Sequence, residues 1–323
     1  MANGIGEEGG TRKKVLVYGA GVLGSITASL LADSPHEVKL LARGKRLEEL
    51  REHGIHLENG ITGATRTAQV DLVESLEPDD VYDLVLVVMQ RSQVPSVLPT
   101  LAANRHVPTV AFLGNNVTGA EEMAEVIGAE RVLLGFVGAG GYREGHKICH
   151  ALGEPGEMKV VLGEPDRRRT TRLEEVAAIL ASAGIQPDLP SDVDAWLKTH
   201  AVLVLPLGGA LYAVDGDIKT LAGRPDLITA SIDGLREGLR VLRALRIPIL
   251  PWQLRLTPFL PNALLRIKVK RTLTSRLGEV ALAGHAAVAR PEMAQLCRQL
   301  RVLIEQSGVA TPTLDHLFDI IEA

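Results

Sequence analysis

Lys14-Val-Leu-Val-Tyr18 is a short apolar run that empties straight into Gly19-Ala-Gly21-Val-Leu-Gly24, and from Val22 to Ala32 apolar residues recur at helical spacing. The local reading is strand, tight turn, helix. A Gly-x-Gly-x-x-Gly spelling alone is weak, because glycine-rich turns are common, but between a strand and a helix it becomes specific. There Gly19 permits the turn, Gly21 lets the backbone approach a pyrophosphate, and Gly24 lets the helix lie close on the sheet. The free N–H groups at the helix start, Val22 and Leu23 among them, together with the partial positive charge there, favour phosphate.

This pattern predicts a Rossmann-type dinucleotide domain. Its second strand, His36 to Leu41, ends in Ala42-Arg43-Gly44. An acidic residue there would accept from a ribose 2′-hydroxyl, whereas arginine suits a 2′-phosphate, so the expected cofactor is NADP(H). Lys45 and Arg46 can add charge. The plainer alternative is that Arg43 is a surface residue.

At 323 residues the chain has room for two domains of about 150 residues each. A helix is expected over Arg46 to His53, and strands over Ile55 to Leu57 and Thr65 to Leu72 in a local ribbon. Tyr82 to Met89 runs without alternation, as a parallel strand covered on both faces does. Val94 to Ala103 is its crossover helix, followed by a strand over Thr109 to Leu113 and a helix over Glu121 to Ile127. Strands over Arg131 to Val137, Lys147 to Leu152 and Met158 to Leu162 finish the sheet with an antiparallel edge. A helix over Arg168 to Ala183 precedes a change of character at Ser191. Beyond it strands disappear, and helices are expected over Asp194 to Leu207, Asp226 to Leu245, Pro261 to Leu282 and Met293 to Gly308, with Pro248 to Pro261 a loop. The predicted division is a tail over 1–12, a doubly wound α/β nucleotide domain over 13–190 and an all-helical domain over 191–323, with the site in the cleft between them.

A formal net charge of −4 supplies no basic field for nucleic acid, and the Arg167-Arg168-Arg169 run is expected in a solvated loop. The two cysteines, Cys149 and Cys297, have no pairing or metal-knuckle spacing, which fits a reducing cytoplasm. His146 and His150 bracket Cys149 across a strand and make no convincing metal site; no metal is expected. No stretch reaches the roughly 18 apolar residues of a membrane span, so no membrane partner is expected. Residues Met1 to Arg12 lack a signal-peptide core and read as a flexible tail. The long apolar helices of the second half are compatible with a homodimer, although such helices more often form intramolecular core.

Reduction of a carbonyl needs a proton donor at the oxygen as hydride arrives. Trp196-Leu-Lys198 opens the first long helix, and the turns beyond are so apolar that Lys198 stands out as a candidate acid. Spacing alone does not separate it from an ordinary solvated lysine. Asp215-Gly-Asp217 reads as a turn and Arg236-Glu237 as a solvated helix pair.

The stretches Lys14 to Gly24, Lys39 to Gly44, Gly54-Ile-His-Leu57, Asp83 to Val88, Leu113-Gly-Asn115, Trp196-Leu-Lys198 and Glu305 to Pro312 follow one another in an order and spacing that resembles the ketopantoate reductases (2-dehydropantoate 2-reductases) over nearly the whole chain. The resemblance implies a 6-phosphogluconate dehydrogenase-like pairing of Rossmann and helical domains and NADPH-dependent reduction of a small 2-oxo acid or related carbonyl compound. It implies Lys198 as general acid, Glu292 as the late glutamate of the substrate site, and Asn115 at the nicotinamide ribose and substrate. Where the family has a cofactor-side lysine the chain has Gln90, and Arg91 next door is a candidate to compensate. Two family asparagines after the lysine are here Val202 and Pro206, and a lost buried hydrogen-bond partner costs about 1–3 kcal/mol. The usual serine and aspartate before the glutamate give way to Val280 and Gly284-His285-Ala286. His285 is either a substitute acid or substrate ligand, or a plain helix histidine. These departures leave open a related dehydrogenase with another substrate, and a non-catalytic NADP-binding sensor or scaffold, against which retention of Lys198 and Glu292 argues.

Overall fold

The computed structural model describes residues 11–152, 157–280 and 284–323, the side chains of 277 and 284–289 excepted. β1 (Lys14–Tyr18) passes through the glycine turn into α1 (Val22–Leu31), and β2 (Glu37–Leu41) into α2 (Gly44–His53). Then come β3 (Ile55–Asn59), β4 (Thr65–Ala68), β5 (Asp71–Val73), β6 (Leu84–Val87), α3 (Val94–Ala103), β7 (Val110–Leu113) and α4 (Glu121–Ile127). β8 (Val132–Gly138), β9 (Gly141–Glu144), β10 (Lys147–His150), β11 (Lys159–Gly163), α5 (Thr171–Ser182) and β12 (Gln186–Asp188) complete the α/β region.

The main sheet has the order β12-β11-β8-β7-β6-β1-β2-β5. Its pairings are parallel except β8 with β11. Because β2 lies on one side of β1 and β6 on the other, the order reverses between β1 and β6, which is where open α/β sheets bind ligands. Alternate residues of β1 serve the two layers. Val15 and Val17 pack with Ile26 and Leu40, whereas Leu16 and Tyr18 pack with Val97 and Leu101 on the opposite face.

Three details depart from expectation. The strand expected over Thr65 to Leu72 is two strands in different sheets, with β4 antiparallel to β3 and β5 parallel to β2. β10 leaves the main sheet and pairs with β3 and β9 in a second sheet ordered β4-β3-β10-β9. β11 is antiparallel as expected but is not the edge, because the three-residue β12 pairs with it in parallel. Pro187 within β12 is tolerated because an edge strand needs only one hydrogen-bonded side. The expected tail lies, up to residue 10, outside the described residues.

The rest of the described chain is helical: α6 (Val193–Tyr212), α7 (Ile218–Ala222), α8 (Pro225–Ala244), α9 (Asn262–Leu273), a single turn α10 (Arg276–Gly278), α11 (Gly284–Ser307) and α12 (Pro312–Glu322). α6 continues beyond the expected end at Leu207, through Gly208 and Gly209. The helix expected over Pro261 to Leu282 breaks after Leu273. Thr274 Oγ1 donates to Lys270 O and Ser275 Oγ to Thr272 O, so these hydroxyls compete with helical pairing. The expected loop after Pro248 contains a 3-10 segment, Trp252–Phe259. α7 and α12 were not expected. Asp217 caps α7 by accepting from Lys219 N and Thr220 N after a turn in which Asp215 has φ +54°. The Arg236-Glu237 pair is not solvated: Glu237 is buried and accepts from Leu314 N at 2.8 Å, fixing the start of α12.

α6 joins the two regions. Asp192 caps it by accepting from Ala195 N, and Arg167 reaches back to Asp192 at 2.9 Å. A β-carbon on Gly163 of β11 would lie 2.6 Å from Val193 Cβ, so this glycine lets the helix start against the sheet. Farther along, α6 lies against glycines of α8. A β-carbon on Gly238 would lie 2.6 Å from Val202 Cγ1, and one on Gly234 would lie 3.2 Å from Pro206 Cβ.

Overpacking costs about 1–3 kcal/mol against the roughly 1 kcal/mol that Ala gains over Gly in a helix. Gly238→Ala is therefore expected to lower stability in urea denaturation, and Val202→Ala in the same chain to restore part of it.

Candidate active site

The glycine turn lies against the end of β6. Gly19 has φ +123°, and a β-carbon there would sit 2.4 Å from Val88 O. Gly24 is tighter still, with its β-carbon position 1.8 Å from Gly19 O. Gly21 is different in kind: extended at φ −70°, ψ −169°, it precedes α1, no side chain caps the helix, and nothing lies within 4 Å of its β-carbon position. The space in front of the uncapped helix start is where Val22 and Leu23 present backbone N–H groups. A pyrophosphate fits that cradle.

Arg46 braces the turn. Its Nε donates to Ala20 O at 3.1 Å and its Nη2 to Ser25 Oγ at 3.2 Å, while Nη1 reaches Glu49 and His146 O. Burial pushes its pKa below the ordinary value, against the pull of Glu49. Arg43 stands at the start of α2 with an exposed guanidinium. Its Nη2 donates to Tyr18 Oη at 2.7 Å and its Nε to Glu74 O at 3.3 Å. α2 has no side-chain cap, and Lys45 beside it is exposed. An arginine held by its neighbours at an open helix N-terminus suits a phosphate.

At the end of β7, Asn116 accepts from Thr118 N and Gly119 N and shapes the loop. Its neighbour Asn115 is buried, and its Nδ2 donates to Glu292 Oε1 of α11 at 3.0 Å. Asn115 Oδ1 is buried without a partner, an acceptor open to a ligand hydroxyl or amide. Val117, two residues on, shares an apolar cluster with Ala201, Val202 and Met293, so this loop, α6 and α11 converge.

Lys198 lies on α6 one turn before Ala201 and Val202, with its side chain 12% exposed. Its partner is Asp194, one turn earlier, to which Nζ donates; Asp194 Oδ1 is buried and unpartnered. The structure thus brings Asn115 to Glu292 across the two regions and gives Lys198 a carboxylate of its own. Asp194 escaped the sequence reading although its i, i+4 spacing to Lys198 was visible. The brace from Arg46 had no such signal, since it depends on tertiary placement.

A family model described as ketopantoate reductase PanE/ApbA matches residues 15–165. A 2-dehydropantoate 2-reductase of Pyrococcus horikoshii is 22% identical over 237 residues, covering 71% of this chain and 73% of the relative. One from Archaeoglobus fulgidus is 28% identical over 194 residues, covering 59% of this chain and 60% of the relative. Residues 15–165 of the chain are thus similar to the nucleotide domain of the ketopantoate reductases.

Solved structures extend the likeness through the helical region. A 2-dehydropantoate 2-reductase from Geobacter metallireducens superposes with a TM-score of 0.78 at 20% identity, covering 95% of this chain and 98% of that one. A D-mandelate dehydrogenase, solved with NADH and anilino(oxo)acetate, gives 0.75 at 17% identity, covering 95% and 96%. These likenesses show the fold: a Rossmann-type NAD(P)-binding domain followed by a largely helical region.

Against that family the departures take physical form. Arg91 does not make up for Gln90: it is buried and its Nη2 pairs with Glu122 of α4. Val202 and Pro206 face the glycines of α8, so this stretch of α6 is helix-packing surface. His285 lies on the backbone of α11, and its side chain is outside the described residues.

Gly21→Ala separates binding from folding. The added methyl meets no protein atom, so the melting temperature should be nearly unchanged, while affinity for the dinucleotide should fall at least about tenfold as the methyl enters the phosphate cradle. Isothermal titration beside thermal melting checks both.

Proposed function

We propose that the protein reduces a 2-oxo acid to the 2-hydroxy acid with NADPH, in the manner of reduction of 2-dehydropantoate to pantoate. The observation that carries the reading is the buried Asn115–Glu292 hydrogen bond, which couples the cofactor-side loop to the helix that bears the family's late glutamate. NADPH, when bound, supplies the hydride for the carbonyl carbon. Gly19, Gly21 and Gly24, with the N–H groups of Val22 and Leu23, hold its pyrophosphate. Arg43 pairs with the 2′-phosphate, and Asn115 offers Oδ1 to the nicotinamide ribose or the substrate. Gln90 contributes a neutral hydrogen-bonding group at the cofactor.

Lys198 donates its proton to the carbonyl oxygen as negative charge grows there. Asp194 holds the ammonium in place. Glu292 keeps Asn115 oriented and lies at the substrate side of the same cleft. With Val202 and Pro206 turned to α8, the two asparagine contacts of the family are not supplied from these positions, which favours a 2-oxo acid other than 2-dehydropantoate.

Lys198→Ala is expected to lower kcat about 10²–10⁴-fold, with NADPH affinity preserved, in an absorbance assay over a panel of 2-oxo acids. Full activity in that variant would remove Lys198 from the mechanism, and absence of turnover in the wild type beside tight NADPH binding would favour the sensor reading. Arg43→Ala should weaken NADPH binding about tenfold and leave NADH binding unchanged, by direct titration of each.

A further inference from the structure

Between Gly238 and Gly278 the chain carries nine Lys and Arg and no Asp or Glu, although the whole protein has a formal net charge of −4. All nine are exposed. Among the described residues only Arg240 has a carboxylate within ion-pair distance, Glu237 at 3.9 Å. The same stretch holds Trp252, Leu256, Phe259, Leu264 and Ile267, each about half exposed or more, with Phe259 at 77%. The protein has few aromatic residues to place anywhere, and two stand in water here.

These groups belong to one surface. Arg243 of α8 donates to Arg255 O at 2.9 Å and lies 6.0 Å above the Phe259 ring. Arg236 donates to Leu260 O at 2.6 Å and to Asn262 Oδ1, tying the 3-10 segment and the start of α9 to α8. α9 packs inward through Leu265, Val269 and Leu273. Leu264 and Ile267 are a turn apart on its exposed part, and Lys268 and Arg271 follow each of them by four residues.

Charge decides what this face can meet. A two-fold contact with a second copy would oppose cation to cation. Single-stranded nucleic acid would use the cations and the rings but leave Leu256, Leu264 and Ile267 in water. Aliphatic and aromatic prongs set among exposed Lys and Arg are the pattern of an element lying in the headgroup region of an anionic bilayer.

We propose that the surface formed by the end of α8, the Trp252–Phe259 segment and α9 docks on an anionic phospholipid membrane. Trp252, Phe259, Leu264 and Ile267 enter the headgroup layer while the surrounding cations face lipid phosphates. Among the described residues no helix is long and apolar enough to cross a membrane, so the contact is peripheral. The expectation of no membrane partner rested on the lack of a span, and surface docking requires none. Likewise, the net charge of −4 hides this face, because the acids that balance its cations lie outside the 41-residue stretch.

The test is co-sedimentation of the full chain with phosphatidylcholine vesicles, with or without phosphatidylglycerol, at low and high salt. Binding to the anionic vesicles is expected to exceed binding to the neutral ones at least about tenfold and to weaken with salt. It should be accompanied by a Trp fluorescence shift that disappears in Trp252→Phe. Lys268→Glu/Lys270→Glu/Arg271→Glu should abolish the binding with NADPH affinity and circular dichroism unchanged. Equal or no binding to the two vesicle types, or full binding by the triple variant, overturns the proposal. So does tighter binding to a single-stranded oligonucleotide than to anionic vesicles, or self-association abolished by Leu264→Glu without vesicle binding.

Discussion

The position a β-carbon would take on Gly24 lies 1.8 Å from the carbonyl oxygen of Gly19, and that close approach organises the molecule. It seats α1 directly over the end of β1, which puts the uncapped helix N-terminus at the point where the strand order reverses. The loops after β6 and β7 then open on the same side, bringing Gln90 and Asn115 to the cofactor end of the sheet. From there Asn115 reaches Glu292. The cofactor cradle and the site across from it thus share one geometric origin.

α6 is the second constraint, because it belongs to both regions. Its first turn rests on β11 through Gly163 and Val193, its second presents Lys198 with Asp194, and its remainder packs against α8, α11 and α12. Lys198 is therefore placed by a helix whose two ends are fixed by different cores. Such a lysine has little freedom to shift, which suits a group that must meet a carbonyl oxygen at one position. The replacement of polar side chains by Val202 and Pro206 is part of the same arrangement, since α8 offers them Gly238 and Gly234 to pack on.

Much of this could be read from the chain. The glycine spacing, the unbroken apolar strand that became β6 and the loss of strands after Ser191 are local patterns, and they gave the α/β region and the helical region in order. The misreadings have local causes too. Pro187 masked a short edge strand, Thr274 and Ser275 stopped a helix whose apolar pattern continued, and Arg91 looked available for the cofactor until Glu122 was found beside it. The Asn115–Glu292 contact joins residues 177 positions apart and has no local signature. Only the family resemblance pointed to both residues, and it did not pair them.

The central claim is that this cleft transfers hydride to the carbonyl carbon of a 2-oxo acid. The most direct measurement uses NADPH deuterated stereospecifically at C4, incubated with a mixture of 2-oxo acids, followed by mass spectrometry of the 2-hydroxy acids. The account predicts one deuterium at C2 of at least one product, carried by only one of the two C4 epimers. Tight NADPH binding with no deuterium in any 2-hydroxy acid would contradict it.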